Sequence, residues 1–383
     1  MNARFLSPLV VAAVVILAGS PGTPALADNT AATYHQIALI SILKEPGDKP
    51  LLSFDISIVE RSSQTDDEDD RSSNTDDRGD RSSKSEERSN QTYYLADRSN
   101  KAVDIFNASS NTFETRVAGF VGFTGNNDTS GPDGIVGVRD RHELWAGDGD
   151  STVKVIDLRT NTIVASISTG GTARADELAY DQKDKLVLIA NDADAPPFAS
   201  LIDTQTRAVV ARIPLDDATN GVEQPVWDPQ THLFYMSIPQ IGANAANGGV
   251  VVIDPKTRSR VGTFPVQNCQ PAGLALGPKQ HLLLGCSDPT AMQVMDARSG
   301  AIVATIAQVS GADEVWYNPG DNHYYVAARN NPTGPVLGII DAKTDTWIQN
   351  VPTGPNAHSV AANPVNNEIF VPLRGMGIGV YHR

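Results

Sequence analysis

The chain has 383 residues, of which 40% are hydrophobic, and it carries a formal net charge of −15. This length supports a large hydrophobic core, and 31 Gly with 24 Pro supply many turns. Nucleic acid and anionic membrane surfaces are poor partners for so acidic a protein, and we expect neither. Cations, basic ligands or simple solubility remain as explanations of the charge.

The first 27 residues have the layout of a secretory signal peptide. Arg4 precedes an apolar run, and Ala25-Leu26-Ala27 matches an A-x-A cleavage site ahead of Asp28. The sequence therefore predicts a periplasmic or secreted protein in which residues 28–383 form a single domain. The apolar run is too short to span a bilayer and no later stretch is comparable, so a membrane-anchored form is the less favoured alternative.

A short sequence motif recurs along the chain: an apolar run that ends in Asp or Asn and is followed by a polar turn. Its closing residues are Asn107, Asp157, Asp203, Asp254, Asp296 and Asp341. They stand 50, 46, 51, 42 and 45 positions apart. This spacing suits one small antiparallel sheet per repeat, and it predicts an all-β, seven-bladed β-propeller with four-stranded blades. Six or eight blades remain as alternatives if one unit is divided wrongly.

The predicted units follow one another from the first blade to the last. They begin near Leu51, Asp133, Asp176, Glu223, Pro271, Asp313 and His358. The last unit ends one strand short at Arg383, and the alternating stretch from Tyr34 to Leu43 can supply the missing strand. An N-terminal strand would then complete the last blade and remove the free sheet edges of an open array.

Residues 61–90 interrupt the first unit with three tandem decapeptides, which begin at Arg61, Arg71 and Arg81. The segment is acidic and contains no apolar side chain, so we expect a disordered loop between the first two strands of blade one. It could act as a tether or as a weak divalent-cation binder. A tolerated insertion at a loop tip is the preferred explanation.

The chain contains two cysteines, Cys269 and Cys286. The segment between them is predicted to form a hairpin, and the cysteines flank it almost symmetrically, so they should lie across from each other. In an exported protein this placement favours a disulfide. Two separate buried thiols are the alternative.

Aligning the predicted inner strands places one residue of each blade where the chain enters the central channel. These ring residues are Asp55, the expected equivalent in blade one, and Asp133, Asp176, Glu223, Ala272, Asp313 and His358. Glu177, Gln224 and Glu314 follow at the next position in three blades. Carboxylates so close together repel one another. They must therefore bind a cation, accept hydrogen bonds from backbone N–H groups, or hold protons at a raised pKa.

The chemistry of this ring is open to two interpretations. Oxygen ligands favour Ca²⁺ or Mg²⁺, and His358 would also permit Zn²⁺ or Mn²⁺. The preferred interpretation is structural, with acids that cap the entering loops and a hydrogen-bonded His358. Sequence signatures of covalent haem attachment, phosphate-binding loops, H-E-x-x-H zinc sites and G-x-S-x-G nucleophiles are missing.

The repeats resemble those of the YVTN-type β-propellers, a family of bacterial exported proteins. The unit from Val153 to Gly170 and the segment from Ser200 to Ile213 follow the pattern V-x-V-I-D-x-x-T-x-x-V-V-A-x-I, and Leu188-Ile189-Ala190-Asn191 resembles the family's second strand. That second-strand signature changes elsewhere, for example to Phe234-Tyr235-Met236-Ser237. Because the family is mixed in function, the resemblance implies a binding platform more firmly than any reaction.

Two functions from different classes remain. The preferred one is an exported, monomeric, non-enzymatic platform that binds a protein, a peptide or a small ligand. The alternative is a metal-dependent hydrolase of the lactonase type, with a cation among the channel carboxylates that polarises a carbonyl. Paired carboxylates would favour the platform, and a cation with an open coordination position would favour the hydrolase.

Overall fold

Seven four-stranded antiparallel sheets form the blades of a propeller in the computed structural model, which describes residues 33–61, 91–287 and 291–383. The predicted signal peptide and residues 62–90 of the predicted insertion lie outside the described residues. Residues Tyr34–Arg383 form one structural unit. The all-β, seven-bladed architecture predicted from the repeat spacing is confirmed. No helix among the described residues is long and apolar enough to cross a membrane.

Within each blade the strands follow one another from the channel outward. The first three blades contain β2 (Ser57–Arg61), β3 (Gln91–Asp97), β4 (Ala102–Asn107) and β5 (Thr112–Ala118); β6 (Ile135–Val138), β7 (Glu143–Asp148), β8 (Thr152–Asp157) and β9 (Thr162–Ser168); and β10 (Leu178–Asp181), β11 (Leu186–Asn191), β12 (Phe198–Asp203) and β13 (Ala208–Pro214). The next three contain β14 (Pro225–Asp228), β15 (Leu233–Ile238), β16 (Asn247–Asp254) and β17 (Ser259–Gln267); β18 (Pro271–Leu276), β19 (His281–Cys286), β20 (Met292–Asp296) and β21 (Ile302–Ile306); and β22 (Val315–Asn318), β23 (His323–Ala328), β24 (Val336–Asp341) and β25 (Thr346–Pro352). Short 3₁₀ segments occur at Asn127–Thr129, Arg139–Arg141 and Pro278–Gln280.

The seventh blade is closed by the N-terminal strand, as predicted. It contains β26 (Ala361–Ala362), β27 (Ile369–Leu373), β28 (Gly377–His382) and, outermost, β1 (His35–Ile40). β1 pairs antiparallel with β28. Next to β1, the Tyr34 hydroxyl shares a hydrogen bond with His323 Nδ1 of blade six, at 2.8 Å. The first and the last described strands, β1 and β28, therefore close the ring in a single sheet.

The first blade begins later than predicted. Its innermost strand β2 starts at Ser57 rather than near Leu51, and Arg61 at its end pairs with Gln91 of β3. Leu51 and Phe54 are each only 1% exposed. Their apolar character therefore reflects burial of the loop that enters the channel, not strand pairing.

The recurring Asp or Asn closes the third strand of blades one to six and caps the turn that follows. In blade three, Asp203 Oδ1 accepts the backbone N–H groups of Gln205 at 2.9 Å and Thr206 at 2.8 Å. The equivalent Asp341 accepts those of Lys343 and Thr344. These Asx turns explain why the repeat ends on an acid or amide, since only a short acceptor can bond its own backbone two residues on.

The core lies between neighbouring blades. Leu188 and Leu201 of blade three pack in one cluster with Phe234 and Val251 of blade four, and all four side chains are fully buried. Each blade buries both faces in this way, so its second and third strands are almost continuously apolar.

The predicted disulfide between Cys269 and Cys286 is confirmed. Both residues are fully buried, and their Cα atoms lie 4.6 Å apart. Pro271, two residues after the first cysteine, pairs with Cys286 at the start of the β18–β19 ladder. The bond therefore ties the loop entering the fifth blade to the end of its second strand.

Candidate functional site

Three aspartates of the predicted ring converge where blades one to three enter the channel. Asp55, Asp133 and Asp176 each lie two residues before the innermost strand of their blade, and carboxylate oxygens from all three lie within 4.8 Å of one another. Asp133 is completely buried, and Asp176 is 3% exposed. Asp55 therefore lies in the same layer as Asp133 and Asp176.

Two buried arginines, which the sequence analysis missed, hold these aspartates together. A guanidinium nitrogen of Arg98 contacts both Asp55 and Asp133. Arg174 Nη2 lies 2.8 Å from Asp176 Oδ2 and 2.7 Å from Asp192 Oδ2. Both arginine side chains are at most 10% exposed. The close carboxylates are thus compensated by cations of the chain itself, a solution that the sequence analysis did not consider.

Arg98 belongs to a second ring, formed by the residue that follows the second strand of each blade. In chain order this position holds Arg98, Gly149, Asp192, Pro239, Ser287, Arg329 and Arg374. Arg329 Nη2 lies 2.8 Å from Asp313 Oδ2. A repeat alignment extended by one residue past the second strand would have found this ring, because the alignment of inner strands alone omits it.

The network contains fewer guanidinium groups than carboxylates. Burial raises the pKa of Asp133 and of Asp176 well above the ordinary range, although Arg98 and Arg174 act in the opposite direction. Burial also acts to raise the pKa of Asp55, but the charge of Arg98 and the contact with His358 outweigh it and lower that pKa. Asp55 is therefore the ionised partner of Arg98, whereas Asp133 and Asp176 retain protons above their ordinary pKa.

This arrangement does not fit a divalent cation. Three carboxylates at this spacing would suit the oxygen preference of Ca²⁺ or Mg²⁺. However, Arg98 contacts two of them, and Arg174 Nη1 lies 3.9 Å from both Asp55 and Asp133. A metal ion placed among these oxygens would face two fixed positive charges at close range.

His358 is held by three neighbours at the same mouth. Its Nδ1 donates to the Asn356 carbonyl at 2.8 Å, since a carbonyl oxygen can only accept. Its ring stacks on Phe54 with centroids 4.5 Å apart, and Nε2 lies 3.5 Å from Asp55 Oδ1. All three neighbours belong to the protein itself, and the structural role expected for His358 stays a prediction.

Three glutamates remain without a cationic partner among the described residues. Glu177 of blade three and Glu314 of blade six, both 5% exposed, hydrogen-bond to each other across the channel. The Glu223 carboxylate makes no hydrogen bond or ion pair with any described residue. We refer to Glu177, Glu223 and Glu314 as the glutamate triad.

The environment of the triad favours the protonated form. Burial raises the pKa of Glu177 well above its ordinary value, and the charges of Glu314 and Asp176 add to the effect. Burial and the nearby charges of Asp176 and Asp313 raise the pKa of Glu223 in the same way. Burial likewise raises the pKa of Glu314. The triad consequently holds protons that a positively charged group could replace.

Two cavities meet at Glu177 and Glu314. The mouth cavity, of about 670 Å³, opens on the side where the chain enters the innermost strands, and the whole triad lines it. The exit cavity, of about 750 Å³, opens on the opposite side, and its more apolar walls include Ile58, Trp227, Trp316 and Tyr317. The Glu177–Glu314 pair therefore lies at the boundary of two spaces of different polarity.

Comparisons with known proteins establish the fold and nothing finer. No protein-family model matches the sequence, and no curated protein matches it. The hydrazine synthase structure from Kuenenia stuttgartiensis is similar with a TM-score of 0.63 and 15% identity, over 76% of this chain and 91% of that chain. A chain in the crystal structure of a mitotic checkpoint complex has a TM-score of 0.65 and 13% identity, over 98% of this chain and 99% of that one. At such low identity these likenesses support a seven-bladed propeller alone, which is a fold consistent with a binding platform.

Proposed function

We propose that this protein is an exported, monomeric, non-enzymatic binding platform of the YVTN type, and that it captures a small ligand through a positively charged group in the mouth cavity. The observation that carries the proposal is the glutamate triad, three carboxyl groups that line an open cavity of about 670 Å³ without a cationic partner among the described residues. Such a volume lies within the range of small-molecule sites. Export is supported by the A-x-A motif before Asp28 and by the disulfide.

The carboxylates of the mouth cavity fall into two groups, those that contact arginines and the glutamate triad, and only the triad is free to bind the ligand's positive group. Asp55, Asp133, Asp176 and Asp313 already contact guanidinium groups. A ligand cation gains little there, because it would have to displace Arg98, Arg174 or Arg329. At the triad, by contrast, an ammonium group replaces protons held by buried acids and forms charge-assisted hydrogen bonds.

The hydrolase alternative has weaker support. Its metal would need the carboxylates that Arg98 and Arg174 now contact. The neighbouring His358 ring is already held by Phe54, the Asn356 carbonyl and Asp55. We therefore prefer binding without catalysis.

Titration calorimetry tests the proposal. The purified chain is titrated near neutral pH with n-butylamine, choline and putrescine, and with butanol as the uncharged control, in two buffers that differ in ionisation enthalpy. We expect at least one ammonium probe to bind with a heat that depends on the buffer, because binding releases protons from the triad. Butanol should not bind.

The matched variants locate the site. Replacing the triad by Gln (Glu177→Gln, Glu223→Gln, Glu314→Gln) should weaken the ammonium probe at least about tenfold, the loss of one charge-assisted hydrogen bond. Glu143→Gln, at the opposite end of blade two, should leave the affinity unchanged. Equal binding by the triad variant, or no binding of any ammonium probe, would refute the proposal.

A further inference from the structure

The mouth cavity concentrates positive charge above the glutamate triad in a protein that is otherwise strongly acidic. Six of the chain's 30 Lys and Arg residues line this one cavity, namely Lys49, Arg98, Lys101, Arg174, Arg329 and Arg374. Arg98 and Arg174 serve the buried aspartates, and Arg329 pairs with Asp313. Lys49, Lys101 and Arg374 form no ion pair with any described residue. These groups form a second charged region of the cavity, which a ligand with positive charge alone would leave unused.

From this polarity we infer that the ligand is a zwitterion, and specifically a short peptide with a free amino terminus and a free carboxyl terminus. The inference rests on the proposed function. The amino terminus would contact the glutamate triad at the floor. The carboxylate would face Arg374 and the free guanidinium edge of Arg329 nearer the rim, where a planar fork of N–H donors matches its two oxygens.

The size of the cavity favours a peptide over a single amino acid. A cavity of about 670 Å³ lies in the range of sites for small organic ligands and has room for a ligand larger than one amino acid, such as a dipeptide. The lining also includes two apolar side chains that are unusually exposed, Leu52 at 54% and Phe123 at 56%. They offer contacts for the side chains of a peptide, and exposed apolar groups of this size commonly mark binding surfaces.

The two ends of the ligand should be recognised by separate charged groups of the protein. This property distinguishes a zwitterionic ligand from a ligand with a single charge. Neutralising the amino terminus by acetylation should remove the interaction with the triad. Converting the carboxyl terminus to an amide should remove the interaction with Arg374. Each change should weaken binding at least about tenfold, because each removes a charge-assisted hydrogen bond.

The experiment begins with an equimolar mixture of the dipeptides of the common amino acids, incubated with the purified full chain and analysed by native mass spectrometry. The dipeptide retained best is then titrated by calorimetry, together with its N-acetyl derivative and its C-terminal amide. Arg374→Gln should weaken the free dipeptide at least about tenfold and leave its amide unaffected. Arg159→Gln, in the exposed turn between β8 and β9 at the far end of blade two, is the matched control and should change neither.

The outcomes keep the two proposals apart. If the amide binds as tightly as the free dipeptide, the carboxylate part is wrong, but a site for a positive group remains. If no dipeptide is retained while n-butylamine, choline or putrescine still binds, the peptide inference fails and the proposed function stands. If neither class binds, both fail. Retention of one dipeptide, with both caps and Arg374→Gln weakening it, supports the inference.

Discussion

Replacing both Glu177 and Glu314 by glutamine should flatten the dependence of folding stability on pH. The two carboxyl groups hydrogen-bond to each other across the channel, which requires that one of them carry a proton. Burial raises the pKa of each above its ordinary value of 4.5. Between that value and the raised one, the folded chain therefore holds protons that the unfolded chain has released. Stability must fall as the pH rises through this window.

The magnitude follows from proton linkage. Each proton kept only by the folded chain lowers the free energy of unfolding by about 1.4 kcal/mol per pH unit. If the pair keeps a single shared proton, the native protein should lose about 1.4 kcal/mol relative to the double variant for each pH unit in the range from about pH 5.5 up to the raised pKa. Asp133, Asp176 and Glu223 add slopes of the same sign in both proteins. Because Asp176 and Glu223 also interact with Glu177, the measured difference in slope includes their response to the substitution.

Urea unfolding followed by circular dichroism, at several pH values in this range, measures the difference directly. Glu143→Gln is the control. Burial acts to raise the pKa of Glu143, but hydrogen bonds from Arg141, Trp145 and Arg207 outweigh it, so this carboxyl titrates below the range and its removal should leave the slope unchanged. Equal slopes for the native protein and the double variant would refute the shared proton, as would a native stability that rises more steeply with pH than that of the variant.

Further predictions concern the arginine network, the disulfide, ring closure and metal content. Arg98→Met should lower the free energy of unfolding by about 3–5 kcal/mol, because it leaves buried carboxylates uncompensated. Urea unfolding measures this loss, and a loss below about 1 kcal/mol would contradict the pairing. The double variant Cys269→Ser, Cys286→Ser should lower the free energy of unfolding by about 3 kcal/mol in the same assay. The cysteines are 17 residues apart, and the bond restricts that loop in the unfolded chain. Unchanged stability would contradict this effect. Deleting the chain up to Ile40 should expose the edge of β28 and produce larger assemblies on size-exclusion chromatography. An assembly state unchanged from that of the full chain would show that closure is dispensable. Elemental analysis after dialysis should find no stoichiometric metal, and a metal that is lost in Asp133→Asn would favour the hydrolase alternative.

The propeller could be predicted from the sequence because each repeat carries a local signal with a local cause. Asp157 or Asp203 closes a third strand by accepting hydrogen bonds from the next few backbone N–H groups, and the apolar run before it is buried between blades. Such features depend on residues only a few positions apart. The N-terminal closing strand was predictable because the last unit lacks one strand, and the disulfide because its two cysteines flank a predicted hairpin.

The charge pattern at the mouth could be predicted only in part. Aligning inner strands found Asp55, Asp133 and Asp176, since these residues hold one position in successive repeats. Arg98 lies in the loop after a second strand of one blade and contacts an acid of the next, so its partner is separated by 35 residues. Arg174 precedes its own blade and contacts Asp192 after the second strand. A longer repeat alignment would find the positions of Arg98 and Asp192, but which side chains they contact depends on loops whose course the repeat does not specify.

The arginine network explains why the glutamate triad, and not the more numerous aspartates, is the place where a ligand can gain affinity. A buried network of charges contributes little net stability, because the cost of removing each ion from water offsets most of its attraction to its partner. What the network does contribute is a fixed arrangement, in which Arg98 and Arg174 contact Asp55, Asp133 and Asp176 from both sides. Within the described part of the cavity, new charge-assisted bonds to a positive group are therefore available mainly at the triad. A ligand that carries its negative charge at the opposite end would then meet the unpaired cations of the rim, so the order of charges from floor to rim selects the orientation of the ligand as well as its class.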